Sequence, residues 1–229
     1  MAGGVEGTAP AGRPSSLRSD LLSPLPHALP PAAILDTPTA AYILRPHVAH
    51  SLRARLATRP FLAPAQRAFL AFQALAALAD HHAAGVVHGD VNPENVLLTS
   101  GGWLLLADAA PHKPGALPAD DPTDFSAFFD ASGSRRCYVA PERFVDGDAL
   151  DAGRRADVRA GRAGDVFSAG CVVAELLAPG HRPLFDLASL LAHRAARAGS
   201  APPDLSRVDA RLRPLVAAMV AADPAARPT

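Results

Sequence analysis

The sequence holds a single lysine, Lys113, and its other side chains with a permanent positive charge are all arginine. A mechanism that depends on a lysine must therefore use Lys113 or proceed without one. Cysteine is almost as scarce. Cys137 and Cys171 are the only two, with no C-x-x-C spacing between them. That argues against a disulfide framework and against a structural zinc site, and it fits a reducing compartment. No apolar run reaches the ~18 residues that a membrane-spanning helix needs. The N-terminus lacks the basic-then-apolar order of a secretory signal, and Ala2 stands where N-myristoylation requires glycine. Net charge is missing too: Lys+Arg and Asp+Glu are 22 each, which gives no reason to expect nucleic acid or anionic lipid as a general partner.

What is present suits a folded chain. With 229 residues, 49% of them apolar, the sequence is sized for one substantial domain, or one domain plus fragments of another. Residues 1–31, rich in Gly, Pro, Ser and Ala, are expected to be disordered. Ala32–Leu35 and Ala40–Arg45 read as two short strands around a turn at Asp36–Thr39, and Pro46 then leaves the sheet. Phe69, Phe72, Leu75 and Leu78, with Ala76 and Ala79, recur at helical steps between Pro64 and Ala84, and Gly85 can end that helix. The adjacent His81 and His82 are expected on the helix surface, not at a metal. Val96–Leu98 and Trp103–Leu106 make a hairpin around Thr99–Gly102. Ala109–Val139 is long and polar, as a mobile loop would be, and Val145–Gly164 has little to bury. Asp165 is expected to open an apolar helix, Val166–Leu177, followed by helices near Leu187–Ala198 and Ala210–Val220. The outcome is an α+β reading, a small incomplete sheet followed by a mainly helical body.

The chemistry is concentrated in His88-Gly89-Asp90-Val91-Asn92-Pro93-Glu94-Asn95, with Asp108 at the end of the next apolar run. This order places a base, a metal-binding amide and a metal-binding carboxylate as phosphoryl-transfer enzymes do. Amide and carboxylate oxygens are hard ligands suited to magnesium. The hairpin would gather Asp90, Asn95 and Asp108 around one cleft. The Asp–Asn spacing alone is shared by two phosphotransferase superfamilies, and Gly89 is typical of the aminoglycoside/choline kinase group.

Later landmarks choose between them. Ala140-Pro141-Glu142 resembles the A-P-E that closes the activation loop of protein kinases, and Asp165–Gly170 resembles the opening of their central buried helix. Arg227 sits where those kinases hold the arginine that pairs with the A-P-E glutamate, here Glu142. A narrower resemblance lies in Ser51–Leu62, Ala71–Asn95 and Asp120–Phe144. There the chain is similar to the regulatory serine/threonine protein kinase of the class III phosphatidylinositol 3-kinase complex, the vacuolar protein-sorting family. H-G-D, with glycine for the usual arginine, is also that family's habit.

The resemblance implies a protein-kinase-like fold. Residues 1–31 would be low-complexity, 32–48 a remnant of the small lobe and hinge, and 49–229 the large lobe with an activation segment at 108–142. It implies ATP and Mg²⁺ as cofactors, Asp90 as catalytic base, and Asn95 and Asp108 as magnesium ligands. His88, Glu142, Asp165 and Arg227 would be structural, with Thr123, Ser126, Ser132 and Ser134 as solvated loop residues. It implies a partner, the lipid kinase's catalytic subunit, and a cytoplasmic location at the face of endosomal and autophagic membranes.

The chain also departs from the family pattern. The glycine-rich phosphate loop, the β3 lysine and its glutamate partner have no counterpart, and the match stops before a last helix, so an N- and C-terminally truncated member is expected. Asn92 replaces a lysine often found two residues after the base, and Ala109-Ala110 replace the Phe-Gly of D-F-G. Losing such charge-stabilising groups costs rate, so the expectations divide into a working kinase, a pseudokinase scaffold, and a small-molecule phosphotransferase. The last lacks support from Ala140–Glu142 and Asp165–Gly170.

Overall fold

The computed structural model describes residues 25–110, 113–147, 161–195 and 203–229. A two-stranded antiparallel ribbon comes first, β1 (Ala33–Asp36) and β2 (Ala41–Leu44), in register Ala33 to Leu44. β3 (His50–Ser51) runs directly into helix α1 (Leu52–Ala57), whose first turn is capped by the Ser51 hydroxyl accepting from the Ala54 N–H. Helix α2 (Pro64–Ala83) begins with proline at its first position, where no hydrogen-bond donor is needed. It ends at Gly85, whose φ of +77° suits glycine beyond a helix end.

β4 (Val96–Leu98) and β5 (Leu104–Leu106) form the expected hairpin and, with β3, a three-stranded antiparallel sheet in the order β3-β4-β5. β6 (Leu117–Pro118) pairs in parallel with β7 (Phe144–Val145), and α3 (Thr123–Phe128) lies between them in sequence. Ala109–Val139 therefore holds a strand and a helix, unlike the irregular loop that its polarity suggested. Phe125 supplies the reason: it is buried against Phe144, their ring centroids 6.1 Å apart.

Helix α4 (Arg162–Leu177) is the axis of the body, with every residue from Asp165 to Leu176 buried. A helix apolar on all sides belongs inside a core. α2 packs along one flank of α4, and α6 (Arg213–Met219) along another, with α5 (Leu187–Ala195) beside the turn at Pro141–Arg143. α4 starts three residues before Asp165, so that side chain lies within the first turn instead of capping it.

Three further expectations need correction. The buried stripe of α2 is Leu70, Ala71, Gln73, Ala77, Leu78 and His81, whereas Phe69 and Phe72 are exposed. His81 is not on the surface but buried, its Nδ1 hydrogen-bonded to the Ala77 carbonyl, and His82 reaches Asp165. Leu25–Pro31, read as part of the disordered N-terminus, packs on the hairpin instead. The Leu106 N–H donates to His27 O at 2.7 Å, Trp103 Nε1 donates to Pro26 O at 2.9 Å, and the His27 ring stacks on Trp103. The remaining low-complexity residues, 1–24, lie outside the described residues, as does most of the connection 145–164.

Candidate active site

The loop between α2 and β4 carries Asp90 and Asn95, and its shape follows from buried hydrogen bonds. Val86 N–H donates to His81 O at 2.8 Å, and Gly89 turns the chain with φ +78°. Asp165, reaching up from α4, accepts from the His88 and Gly89 N–H groups at 2.8 Å each and from His82 Nε2 at 3.0 Å. A buried carboxylate spread over three donors is fully satisfied, which is the condition for keeping it there.

His88 is wholly buried, and Nε2 bonds to Ala107 O at 2.9 Å. Burial pushes its imidazole below the usual histidine range, so the ring stays neutral and serves as a brace. Ala110 N–H returns a bond to His88 O, and Ala107 N–H bonds to Asn95 O at 2.9 Å. These bonds hold Asp108 beside the loop in the left-handed region (φ +59°), which aspartate tolerates better than most residues.

Asn95 turns its amide nitrogen onto Asp90, donating to the backbone carbonyl at 2.8 Å and to Oδ2 at 2.7 Å. Lys113 Nζ reaches the same Oδ2 at 2.7 Å. Among the described residues, no hydrogen bond ends on Asp90 Oδ1 or on Asn95 Oδ1. Arg45, from the end of β2, pairs with Asp108 Oδ2 at 2.9 Å. Asn95 and Asp90 are thus in direct contact, and the Ala107 N–H bond to Asn95 O ties the segment carrying Asp108 to the same loop.

The turn at Pro141–Arg143 is anchored independently. Arg143 bridges it to the loop, donating to Gly89 O at 2.9 Å, Pro114 O at 2.6 Å and Gly115 O at 3.1 Å. Arg227 meets Glu142 through both guanidinium nitrogens at 2.8 Å and stacks over Phe167. Thr123 and Ser134 have their hydroxyls on Asp121 and Asp130, as local turn bonds.

Two features were not visible in the sequence. One is the Lys113 contact; its only signal was that no other lysine existed. The other is Glu175, fully buried on α4, which gathers Arg53 at 3.2 Å, Arg136 at 2.6 Å and the Tyr138 hydroxyl. Burial pushes the Glu175 carboxyl up and the Tyr138 phenol well up from their ordinary values. A glutamate inside an apolar helix was the signal for that cluster.

Asp90 and Asn95 on a loop held by a buried helix aspartate, Asp108 just beyond the hairpin, and an arginine-clamped A-P-E turn are the arrangement expected of a protein kinase. Residues 31–229 match the protein kinase domain, and the chain belongs to that family. It is similar to the serine/threonine-protein kinase VPS15 of Arabidopsis thaliana, 42% identical over 203 residues, covering 88% of this chain and 13% of the relative. A probable serine/threonine-protein kinase vps15 of Dictyostelium discoideum is 38% identical over 209 residues, 91% of this chain and 10% of the relative. The VPS15 of Saccharomyces cerevisiae is 42% identical over 175 residues, 76% and 12%. The chain therefore spans little more than a tenth of the length of the curated relatives it matches.

Proposed function

We propose that this chain is a serine/threonine protein kinase lobe that transfers the terminal phosphoryl group of ATP to a protein hydroxyl, within a regulatory subunit for vacuolar and endosomal sorting. The carrying observation is the division of labour at Asp90. Asn95 holds Oδ2 and leaves Oδ1 to accept the proton of an incoming hydroxyl. Because its nitrogen is committed to Asp90, Asn95 has Oδ1 left to serve as a ligand, and Asp108, next to the Ala107 whose N–H bonds to Asn95 O, would supply the carboxylate. Two oxygen donors fit magnesium, which takes one or two protein ligands and completes its shell with phosphates and water. When bound, the ion supplies positive charge against the phosphates. Asp90 is oriented from both sides, by Asn95 within its own loop and by the Asp165 bonds beneath it.

The names of the relatives support serine or threonine as acceptor and a role in vacuolar sorting. The partner in this reading is the catalytic subunit of a class III phosphatidylinositol 3-kinase, at endosomal and autophagic membranes. No described helix is long and apolar enough to cross a membrane. The test is phosphate transfer from radiolabelled ATP by the purified chain and by Asp90→Asn and Asp108→Ala. Transfer that falls at least a hundredfold in both variants supports the reading, by the size expected for lost catalytic groups. Equal transfer by all three overturns it.

A second reading, a binding module without catalysis, has one specific observation in its favour: Arg45 already occupies Asp108, and Ala109 is too small to brace that carboxylate. Co-purification with the lipid kinase subunit, unchanged by Asp90→Asn, is its expected result; failure to associate counts against it.

A further inference from the structure

We propose that Lys113, from the activation segment, is the positioning cation of this active site: it fixes the Asp90 carboxylate through Oδ2 and offers its remaining N–H groups to the transferring phosphoryl group. The inference rests on the phosphotransferase reading and deepens it.

Lys113 is the chain's only lysine, and its Nζ lies 2.7 Å from Asp90 Oδ2. Both partners are shielded, their side chains 19% and 11% exposed. Such a pair is screened less than one on the open surface. The ammonium also rests 4.8 Å from the centre of the Phe129 ring, while Arg143 stacks on the same ring at 4.7 Å. The flanking backbone is pinned as well. Lys113 N–H bonds to Ala110 O, and Pro114 O and Gly115 O are held by Arg143. The cation is thus preorganised from three directions at a place far from its base in sequence.

Among the described residues, two other candidates near Asp90 are already committed elsewhere. Asn92, which stands where kinases often place a lysine, is consumed within the loop. Its Oδ1 accepts from the Glu94 and Asn95 N–H groups at 2.9 and 3.1 Å, and its amide donates to Asp90 O. Arg143 is near, but its guanidinium is spent on three carbonyls.

The two donors on Asp90 share one oxygen, which separates positioning from blockade. Oδ1 carries no bond from any described residue and stays open to a hydroxyl. As the hydroxyl oxygen bonds to phosphorus, the bond from phosphorus to the bridging oxygen breaks, and its electron pair leaves with ADP. The hydroxyl proton passes to Asp90 Oδ1. An ammonium has three N–H donors, so Lys113 can keep Oδ2 and still bind an equatorial phosphoryl oxygen.

A single lysine makes the test clean, because a chain labelled with ¹³C-lysine gives one Cε resonance. In the nucleotide-free chain, Asp90→Asn is expected to move that resonance; no movement means the ion pair is absent and overturns the proposal. With magnesium, a non-hydrolysable ATP analogue is expected to shift it and ADP is not. In turnover, Lys113→Met is expected to lower kcat about a hundredfold with little change in KM for ATP, and Lys113→Arg to recover part of it. Faster turnover by Lys113→Met would identify a latch and overturn positioning. If nucleotide binds and turnover depends on Asp90 while the lysine signal stays silent, Lys113 alone is refuted. If neither nucleotide binds, the phosphotransferase reading fails and this proposal falls with it.

Discussion

Arg227 grips Glu142 through two parallel bonds of 2.8 Å although 85 residues separate them, and its own side chain is fully buried. The same guanidinium donates to Ala163 O and Ala221 O, so it ties the A-P-E turn, the start of α4 and the end of α6 together. Removing one partner of a buried pair leaves an uncompensated charge or several orphaned carbonyls, at about 3–5 kcal/mol. Arg227→Ala is therefore expected to cost that much in denaturant unfolding. Glu142→Gln should cost less, since Arg227 keeps its carbonyls. The double variant should be less destabilised than the sum of the two. Simple additivity would show that the two side chains do not act as one clamp.

Gly89 and Asp165 make a second such unit. At φ +78° an L side chain is disfavoured by about 1–2 kcal/mol. Restoring the arginine that many kinases carry, Gly89→Arg, is thus expected to destabilise this chain by that amount. Asp165→Ala should cost more, because it strands the buried His88 and Gly89 N–H groups at about 1–3 kcal/mol each. Thermal unfolding of the two variants checks both the size and the order; a Gly89→Arg chain as stable as the parent would show that the loop relaxes freely.

The sites of these predictions were legible to unequal degrees. Asp90, Asn95 and Asp108 could be singled out because their spacing is set by one loop and the hairpin after it, whereas Glu142 and Arg227 were singled out by the resemblance to protein kinases. The hairpin around Gly102 was readable from its own short turn. The phase of α2 was not. Its alanines make every face apolar, so Phe69 and Phe72 drew the stripe to the wrong side, while polar Gln73 and His81 turned out to be inside. Gln73 is there because its amide donates to Gly102 O and accepts from Leu104 N–H, capping the hairpin. Lys113 on Asp90 and the Arg53–Arg136–Tyr138 cluster on Glu175 are contacts between distant segments, and no local periodicity encodes them.

Acidity should weaken the fold through two histidines. Burial lowers both His81 and His88 below the ordinary value of 6.5, so each stays neutral in the fold where it would be charged in the unfolded chain. Between their lowered values and pH 6.5 the unfolded state binds more protons. Stability therefore rises with pH in that window and falls on acidification through it. Each histidine contributes a slope of up to ~1.4 kcal/mol per pH unit. Unfolding free energies measured from pH 7 to pH 5 should show this decline, and His81→Gln should flatten it. An unchanged slope in that variant would mean that His81 ionises freely in the fold.

Gly170 sets the approach of α4 to α6, and its replacement should reverse the usual helix rule. Alanine normally gains about 1 kcal/mol over glycine inside a helix. Here a Cβ would lie 2.8 Å from Met219 Cβ and equally close to Val220 Cγ1, a distance real side chains do not tolerate. Gly170→Ala should instead destabilise by about 1–3 kcal/mol, the cost of overpacking a filled core. Gly164 in the same helix is the control. An added Cβ there meets Ala140 Cβ and Glu142 Oε1 at an ordinary 3.7 Å, so Gly164→Ala should be neutral or mildly stabilising. Shortening the obstacle with Val220→Ala should recover part of the Gly170→Ala loss, because it removes one of the two clashing carbons. If denaturant unfolding finds Gly170→Ala as stable as the parent, the two helices do not pack as closely as these distances require.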